Sequence, residues 1–332
     1  MKQAAQFNLI TIGDSTIDTF IKIHDATVQC DINHEDCKIC LRYGDKIPVD
    51  SIAHGVAGNA ANVAVGVSKL GLKTAIYTNL GDDDHGETIK RALAKERVSC
   101  EYVKINLKTD SNLSVVLSFH NERTIFVYHQ DWHYSLPNFA PSSWIYLTSI
   151  SETFVKSKII NEILGYIDKT DAKLAFAPGT HQLKVGIRRY PKLLEKCQLL
   201  TVNLSEAKTI LEIDQCELVD PRDLLSKLLF LGPKIVVITD GENGSYASDG
   251  QKNLKLGILN SHVAEKTGAG DAYSSGLISA LFFEEPLEKA MVWGTINSSY
   301  VIQKIGAQNG LLSKEELLRI RKAHSRLTAV TF

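Results

Sequence analysis

The 332-residue chain has no long apolar run, no excess charge of either sign and no low-complexity tract. No apolar stretch reaches the roughly 18 residues that a membrane-spanning helix needs, so a membrane protein is not expected. Lysine and arginine number 37 and aspartate and glutamate 38, and the net charge of −1 gives no reason to expect binding to nucleic acid. The first residues enter a strand-like segment without a signal-peptide pattern, so we expect a cytoplasmic protein.

Two common nucleotide-binding motifs are also missing. The chain has no GxxxxGK[ST] P-loop, and the first predicted strand is followed by GDSTID (13–18) instead of GxGxxG. A nicotinamide-dependent dehydrogenase is therefore disfavoured. Any phosphate site must be built from another glycine-rich turn.

Six cysteines in a chain of this size and compartment are more typical of free thiols than of a disulfide framework. Cys30, His34, Cys37 and Cys40 could together supply four ligands to a zinc ion. However, the stretches 27–32 and 38–43 alternate in polarity around a polar turn, which favours a β-hairpin. We expect the hairpin, with the metal site as the alternative.

The order of predicted elements indicates an α/β protein. From residue 144 onward strands and helices alternate, which is typical of a three-layer, mostly parallel sheet with helices on both faces. Residues 20–52 and 100–130 show strand alternation without a helical period, so we expect them to form one small β-sheet. This divides the chain into an α/β core of 1–19, 53–99 and 131–332 and a small sheet of 20–52 and 100–130.

The stretch EKTGAGDAYSSG (265–276) carries the clearest chemical signal. Gly268, Ala269 and Gly270 precede Asp271 at the predicted start of a helix, where backbone N–H groups and the helix dipole form an anion site. A carboxylate beside bound phosphate suits a general base that deprotonates the attacking group. The alternative is that Asp271 only caps the helix.

Further polar and glycine residues follow predicted strands or begin helices, where open α/β sheets bind ligands. They are Asp14 and Asp18; Gly58, Asn59 and Asn62; Asn203 and Glu206; and Thr239, Gly241 and Gly244. Caps, a hairpin turn and a tightly packed Ala/Gly helix are the structural alternatives.

Together, GVAGNAANVAVGVSKLG (55–71) and KTGAGDAYSSG (266–276) resemble the signatures of the ribokinase-like (PfkB-type) carbohydrate kinases, and the match extends from about residue 12 to 306. The resemblance implies a sugar kinase that uses ATP and Mg²⁺, with the small sheet as a lid over the sugar that forms a dimer in many members. It assigns the base to Asp271 and the anion hole to 268–270. It assigns sugar hydroxyls to Asp18, Gly58, Asn59 and Asn62, the nucleotide to Asn203, Thr239, Gly241, Gly244 and Asn297, and magnesium, through water, to Glu206.

Three positions depart from the family pattern. Glu265-Lys266-Thr267 stands where members often have Asp-Thr-Thr or Asp-Thr and where some bind K⁺. Thr148-Ser149-Ile150-Ser151 offers no acid to the sugar, and Asn59 replaces the ribokinase lysine. Lys266 could stand in for K⁺ or face the nucleotide phosphates, or it could pair loosely with Glu265 at the surface.

These departures leave the substrate open. The main prediction is an ATP-dependent sugar kinase. The alternatives are a nucleoside kinase of the same fold and a catalytically silent regulator that binds sugar or nucleotide.

Overall fold

The computed structural model describes residues 6–31, 37–120 and 122–332. Its strands are β1 (Phe7–Ile12), β2 (Thr16–Lys22), β3 (Thr27–Cys30), β4 (Cys37–Cys40), β5 (Ser51–Ala57), β6 (Thr74–Gly81), β7 (Ser99–Asn106), β8 (Leu113–Phe119), β9 (Glu122–Tyr128), β10 (Ser142–Leu147), β11 (Lys173–Phe176), β12 (Cys197–Asn203), β13 (Ile235–Thr239), β14 (Ser245–Ser248), β15 (Asn253–Leu256) and β16 (Val330–Thr331). Its α-helices are α1 (Asn59–Lys69), α2 (Asp84–Lys95), α3 (Ile159–Thr170), α4 (Thr180–Val185), α5 (Pro191–Glu195), α6 (Leu204–Leu211), α7 (Pro221–Phe230), α8 (Ala269–Phe282), α9 (Leu287–Val301) and α10 (Lys314–Ala323).

The main sheet has ten strands in the order β16-β15-β14-β13-β12-β11-β10-β1-β6-β7. Seven strands are parallel to one another: β13, β12, β11, β10, β1, β6 and β7. The other three, β14, β15 and β16, are added by antiparallel pairings. The carboxyl ends of the parallel strands meet at one edge, where α/β folds bind ligands. The predicted fold class is confirmed.

Alternate residues of the central strands pack on opposite sides of the main sheet. On β1, Ile10 joins the cluster that contains residues of α3, α5, α6 and α7, whereas Leu9 joins the cluster formed with α1, α8, α9 and α10. Because both faces of the sheet are buried, the parallel strands are apolar at nearly every position. Packing on both faces holds in place the strand ends that carry the candidate site.

The small sheet, here called the lid, has four strands in the order β5-β2-β8-β9. The chain passes from β1 to β2 over residues 13–15, so the lid continues directly from the centre of the main sheet. The prediction that all of 100–130 belongs to this sheet is wrong for its first part, because β7 pairs with β6 at the edge of the main sheet. Tyr102 explains the difference, since its ring packs on Phe7 and Phe139 of the main core.

The cysteine-containing stretch forms an antiparallel pair of strands, β3 and β4, which is a two-stranded sheet separate from the lid. The prediction that all of 20–52 joins one small sheet is therefore wrong for this part. Their register places Cys30 opposite Cys37, and the two sulfurs form a disulfide. The expectation of free thiols is therefore wrong for this pair, although Cys40, Cys100, Cys197 and Cys216 are free. The predicted turn and His34 lie outside the described residues, among which no group of three or more His, Cys, Asp or Glu side chains could hold a metal ion.

The helices follow the predicted pattern with one main exception. The sequence of 183–196 predicts one helix, but the structure divides this region into α4, a short 3₁₀ segment (Ile187–Arg189) and α5. Gly186 and Pro191 cause the interruptions, since glycine ends helices readily and proline starts them. Within the three described ranges, no helix has the length and apolar character that crossing a membrane requires.

Candidate active site

The predicted anion hole lies at the start of α8. Gly268 has a φ of +81°, and a Cβ atom there would lie 2.7 Å from Cα of Ala307. The N–H of Ala269 donates to the carbonyl of Lys266 (3.3 Å), which closes a tight turn before the helix. Because Ala269 and Gly270 line a cavity, an anion in that cavity meets the positive end of the helix dipole.

Two amides from α1 hold the carboxylate of Asp271. Nδ2 of Asn59 donates to Oδ1 (2.9 Å), and Nδ2 of Asn62 donates to Oδ2 (2.8 Å). The Oδ1 atom of Asn62 in turn accepts from Nε2 of Gln308 (3.0 Å). The two asparagines thus orient the candidate base, and Gln308 is a partner that sequence reasoning missed.

Gly58 allows α1 to begin close to the β1–β2 connection. It precedes the helix with a φ of +95°, and a Cβ atom would lie 2.5 Å from the carbonyl oxygen of Asp14. Any larger residue would push Asn59 and Asn62 away from Asp271. The structure gives Gly58 this packing role, and a contact with substrate remains a prediction.

The candidate base is electrostatically perturbed. Burial raises the pKa of Asp271 to about 6, with the charges of Glu206 and Asp18 acting in the same direction and the two amides opposing it. Burial also raises the pKa of Asp18, on β2, to about 6, and the charge of Glu265 adds to the effect. Carboxylates from the lid and the core therefore influence one another across one site, as is common at active sites.

Asp14 has a structural role beside this site. Both of its oxygens accept from the hydroxyl of Tyr134 (2.8 Å each), which also accepts from the N–H of Ser151 (2.7 Å). Burial raises the pKa of Asp14 to about 7. The contact joins the segment that enters the lid to the segment that returns from it.

A cavity of about 720 Å³ lies beside the start of α8. Most residues predicted to bind nucleotide line it: Asn203, Thr239, Gly241, Gly244 and Lys266. Arg123, Tyr273, Thr295 and Ser298 also line it and were not predicted. The cavity thus joins the ends of β12 and β13 to the candidate anion hole.

Asn297 does not line this cavity, and its burial contradicts the predicted contact with the nucleotide. Its side chain is fully buried, donates to the carbonyl of Ala272 (3.0 Å) and Oγ of Ser275 (2.9 Å), and accepts from the N–H of Leu312 (3.1 Å). These bonds satisfy the amide within the packing of α8 against α9. Thr295 and Ser298, on another side of the helix, line the cavity instead.

Asn203 and Glu206 form a reciprocal cap at the start of α6. The side chain of each accepts from the backbone N–H of the other at 2.8 Å. Burial raises the pKa of Glu206. Asn203 lines the cavity, and an amide and a carboxylate at its edge suit Mg²⁺, which prefers oxygen ligands and usually keeps several waters.

Lys266 and Glu265 do not form the pair considered from the sequence. Glu265 bonds to Arg123 of β9 and to Thr267, whereas Lys266 is exposed and lines the cavity. Lys266 can therefore direct its ammonium towards an anion in the cavity.

Comparisons with known proteins show the family of the chain. The model of the pfkB family of carbohydrate kinases matches residues 19–314. The ATP-dependent 6-phosphofructokinase of Thermoanaerobacterium thermosaccharolyticum is 27% identical over 81% of this chain and 85% of its own length.

Solved structures share the fold. Arabidopsis thaliana ribokinase complexed with ribose and ATP superposes with a TM-score of 0.76 at 19% identity, covering 95% of this chain and 99% of that one. A candidate ribokinase II from E. coli in complex with ATP and Mg²⁺ gives 0.73 at 13% identity, covering 96% and 100%. The fold is ribokinase-like, and the chain belongs to the pfkB family of carbohydrate kinases, ATP-dependent phosphotransferases with an alcohol group as acceptor.

Proposed function

We propose that this protein transfers the γ-phosphoryl group of ATP to a hydroxyl or hydroxymethyl group of a small carbohydrate, with Asp271 as the general base. The observation that carries the proposal is the placement of Asp271: its buried carboxylate is oriented by Asn59 and Asn62 and directly follows the cavity-lining Ala269 and Gly270. A capping role alone does not require two side-chain donors on the carboxylate.

In the proposed reaction, the sugar hydroxyl gives its proton to Asp271 while its oxygen attacks the γ-phosphorus and ADP leaves. The raised pKa of about 6 keeps the carboxylate ionised at neutral pH but basic enough to accept a proton. The N–H groups of the 268–270 turn stabilise the charge on the transferred group.

The cavity is the proposed ATP site. Thr239, Gly241 and Gly244 contact the phosphates, and Lys266 adds a positive charge. Asn203 and Glu206 would hold Mg²⁺, largely through water, and the bound ion would neutralise phosphate charge. The complex of the E. coli structure with ATP and Mg²⁺ supports this assignment by fold alone.

Asp18, Asn59 and Asn62 are the proposed contacts for sugar hydroxyls. Asp18 is only 5% exposed and lies on a lid strand, and its charge affects Asp271 on the core. A substrate between these carboxylates would be enclosed by lid and core, which excludes water from the transfer.

A substrate panel tests the proposal. Free sugars, sugar phosphates and nucleosides are each incubated with ATP and Mg²⁺, with and without K⁺, and ADP release is measured. Turnover of a sugar or sugar phosphate supports the proposal. Turnover of nucleosides alone would support a nucleoside kinase. Binding of sugar or nucleotide without turnover would support a silent regulator.

We expect kcat/KM for the sugar to fall about tenfold per pH unit below about pH 6, because a protonated Asp271 cannot act as base. Since the charge of Asp18 raises the pKa of Asp271, Asp18→Asn should shift this fall in kcat/KM to lower pH. The same variant should raise KM for the sugar and leave KM for ATP unchanged. If the pH dependence of kcat/KM does not shift and the KM values for sugar and ATP change equally, the assignments of Asp271 as base and Asp18 as sugar contact are contradicted.

We also propose that a second copy of the chain covers the lid. β9 is an edge strand, and its Ile125, Phe126, Val127 and Tyr128 are 43–62% exposed. Exposed apolar edge strands commonly pair with another chain.

Phe126→Lys should therefore convert a dimer to a monomer in light scattering, whereas Leu218→Lys, at a 99% exposed site outside the lid, should not. A wild-type protein that remains monomeric at micromolar concentration would refute this assembly.

A further inference from the structure

Arg123 joins the lid to the core. It lies on β9, where it pairs with Ser118 one position from the end of the β8–β9 ladder. Its Nη1 atom lies 3.1 Å from Oε1 of Glu265, and it also lines the 720 Å³ cavity. The guanidinium therefore spans from the lid to the segment before α8.

Glu265 in turn holds the turn that forms the candidate anion hole. Its Oε1 atom accepts from the N–H (2.9 Å) and the hydroxyl (2.8 Å) of Thr267, the residue before Gly268. Its own N–H donates to the carbonyl of Ile302 at the end of α9 (3.1 Å). A movement of the Glu265 carboxylate would thus be transmitted to the turn.

The charges around this contact favour the closed lid. The Glu265 side chain is 9% exposed, and the nearby Asp18 feels its charge. Among the described residues, Arg123 is the cation that the structure places on Glu265. Opening the lid would remove the charge-assisted hydrogen bond from Arg123 and leave Oε1 of Glu265 with the two bonds from Thr267, so this contact stabilises the closed arrangement.

We infer that Arg123 is a positioning residue that couples closure of the lid to the order of the anion-hole turn through Glu265. The kinetic part of this inference rests on the proposed kinase function, because a closed lid matters there by excluding water as an acceptor. The structural part does not depend on any substrate.

The structural part is tested by hydrogen exchange in the ligand-free protein. Arg123→Met should speed amide exchange about tenfold in β8, β9 and the 264–270 segment, since a charge-assisted bond across the two parts is lost. The matched control is Arg42→Met, which removes an exposed arginine–aspartate pair with Asp25 (3.1 Å) away from the core. This control should exchange like the wild type in all three segments.

The coupling is tested by combining changes. Glu265→Gln should produce the same faster exchange of the lid strands, and the Arg123→Met/Glu265→Gln double variant should lie within about twofold of either single variant. Arg123→Lys keeps the positive charge but lacks the planar guanidinium, so its amide exchange should be slower than that of Arg123→Met and faster than that of the wild type.

The kinetic part predicts a change in the fate of ATP. Arg123→Met should lower kcat for sugar phosphorylation about tenfold and raise the ratio of ATP hydrolysis to sugar phosphorylation, while thermal unfolding stays close to that of Arg42→Met.

Unchanged exchange in Arg123→Met, or additive effects in the double variant, would overturn the inference whatever the substrate. Faster, non-additive exchange in a protein that phosphorylates no sugar would support the structural coupling and refute the proposed function instead.

Discussion

Asp271→Asn is expected to lower kcat by roughly 10²–10⁴-fold, the range that a positioned general base contributes, while the fold and ATP binding are retained. The amide has nearly the shape of the carboxylate, but it cannot accept the hydroxyl proton. One of its two polar atoms becomes a donor and would face the Nδ2 of Asn59 or Asn62. A flip of the Asn59 amide relieves this conflict, so the loss in free energy of unfolding should stay within about 1 kcal/mol.

The matched control is Asp84→Asn. Asp84 also lies in the first turn of a helix, α2, so the substitution removes the same charge from a helix N-terminus outside the candidate site. Single-turnover rates and ATP affinity are measured for both variants. Wild-type turnover in Asp271→Asn would leave Asp271 as a first-turn carboxylate that only receives the bonds of Asn59 and Asn62, and would remove the basis of the proposed mechanism.

The sequence predicted those features that depend on the polarity pattern and residue types within one segment. The parallel sheet follows from apolar runs alternating with amphipathic helices, and the apolar run FNLITI (7–12) predicts β1 with the bounds that the structure shows. The turn at 268–270 follows from glycines before a helix, because few other residues adopt a positive φ. The lid was predicted from strand alternation, but alternation does not tell which sheet a strand joins, and β7 was therefore misplaced.

The contacts that tertiary packing creates could not be predicted. Arg123 and Glu265 lie 142 residues apart, Tyr134 and Asp14 120, and Gln308 and Asn62 246. Each is a single polar side chain whose partner depends on how the lid and the helices are arranged. No periodicity or motif marks such a residue.

Asn297 illustrates the converse error. The family resemblance assigned Asn297 to the nucleotide, but α9 is buried on most sides. The amide therefore satisfies backbone and side-chain groups of the neighbouring segments. Helical period alone gives no way to choose the exposed side of such a helix.

Gly268→Ala is expected to remove most of the activity by displacing the anion hole. The new Cβ atom would lie 2.7 Å from Cα and 2.9 Å from the carbonyl oxygen of Ala307, so backbone must move. Ala307 precedes Gln308, which bonds to Asn62 and thereby reaches Asp271. A shift on either side of the contact therefore misplaces the N–H groups, the base or both, and loss of one oxyanion donor alone typically costs about 10²–10³ in kcat.

Gly250→Ala separates this steric effect from backbone strain. Gly250 has a φ of +82°, nearly the same as the +81° of Gly268, but an added Cβ there would have no atom within 4 Å. Both variants should lose about 1–2 kcal/mol of stability from the left-handed conformation, measured by denaturant unfolding. Gly268→Ala should lose more than this and should lose catalysis, because only its side chain meets the backbone at the site. If the two variants keep similar kcat values, the turn at 268–270 is not the group that stabilises the transferred phosphoryl.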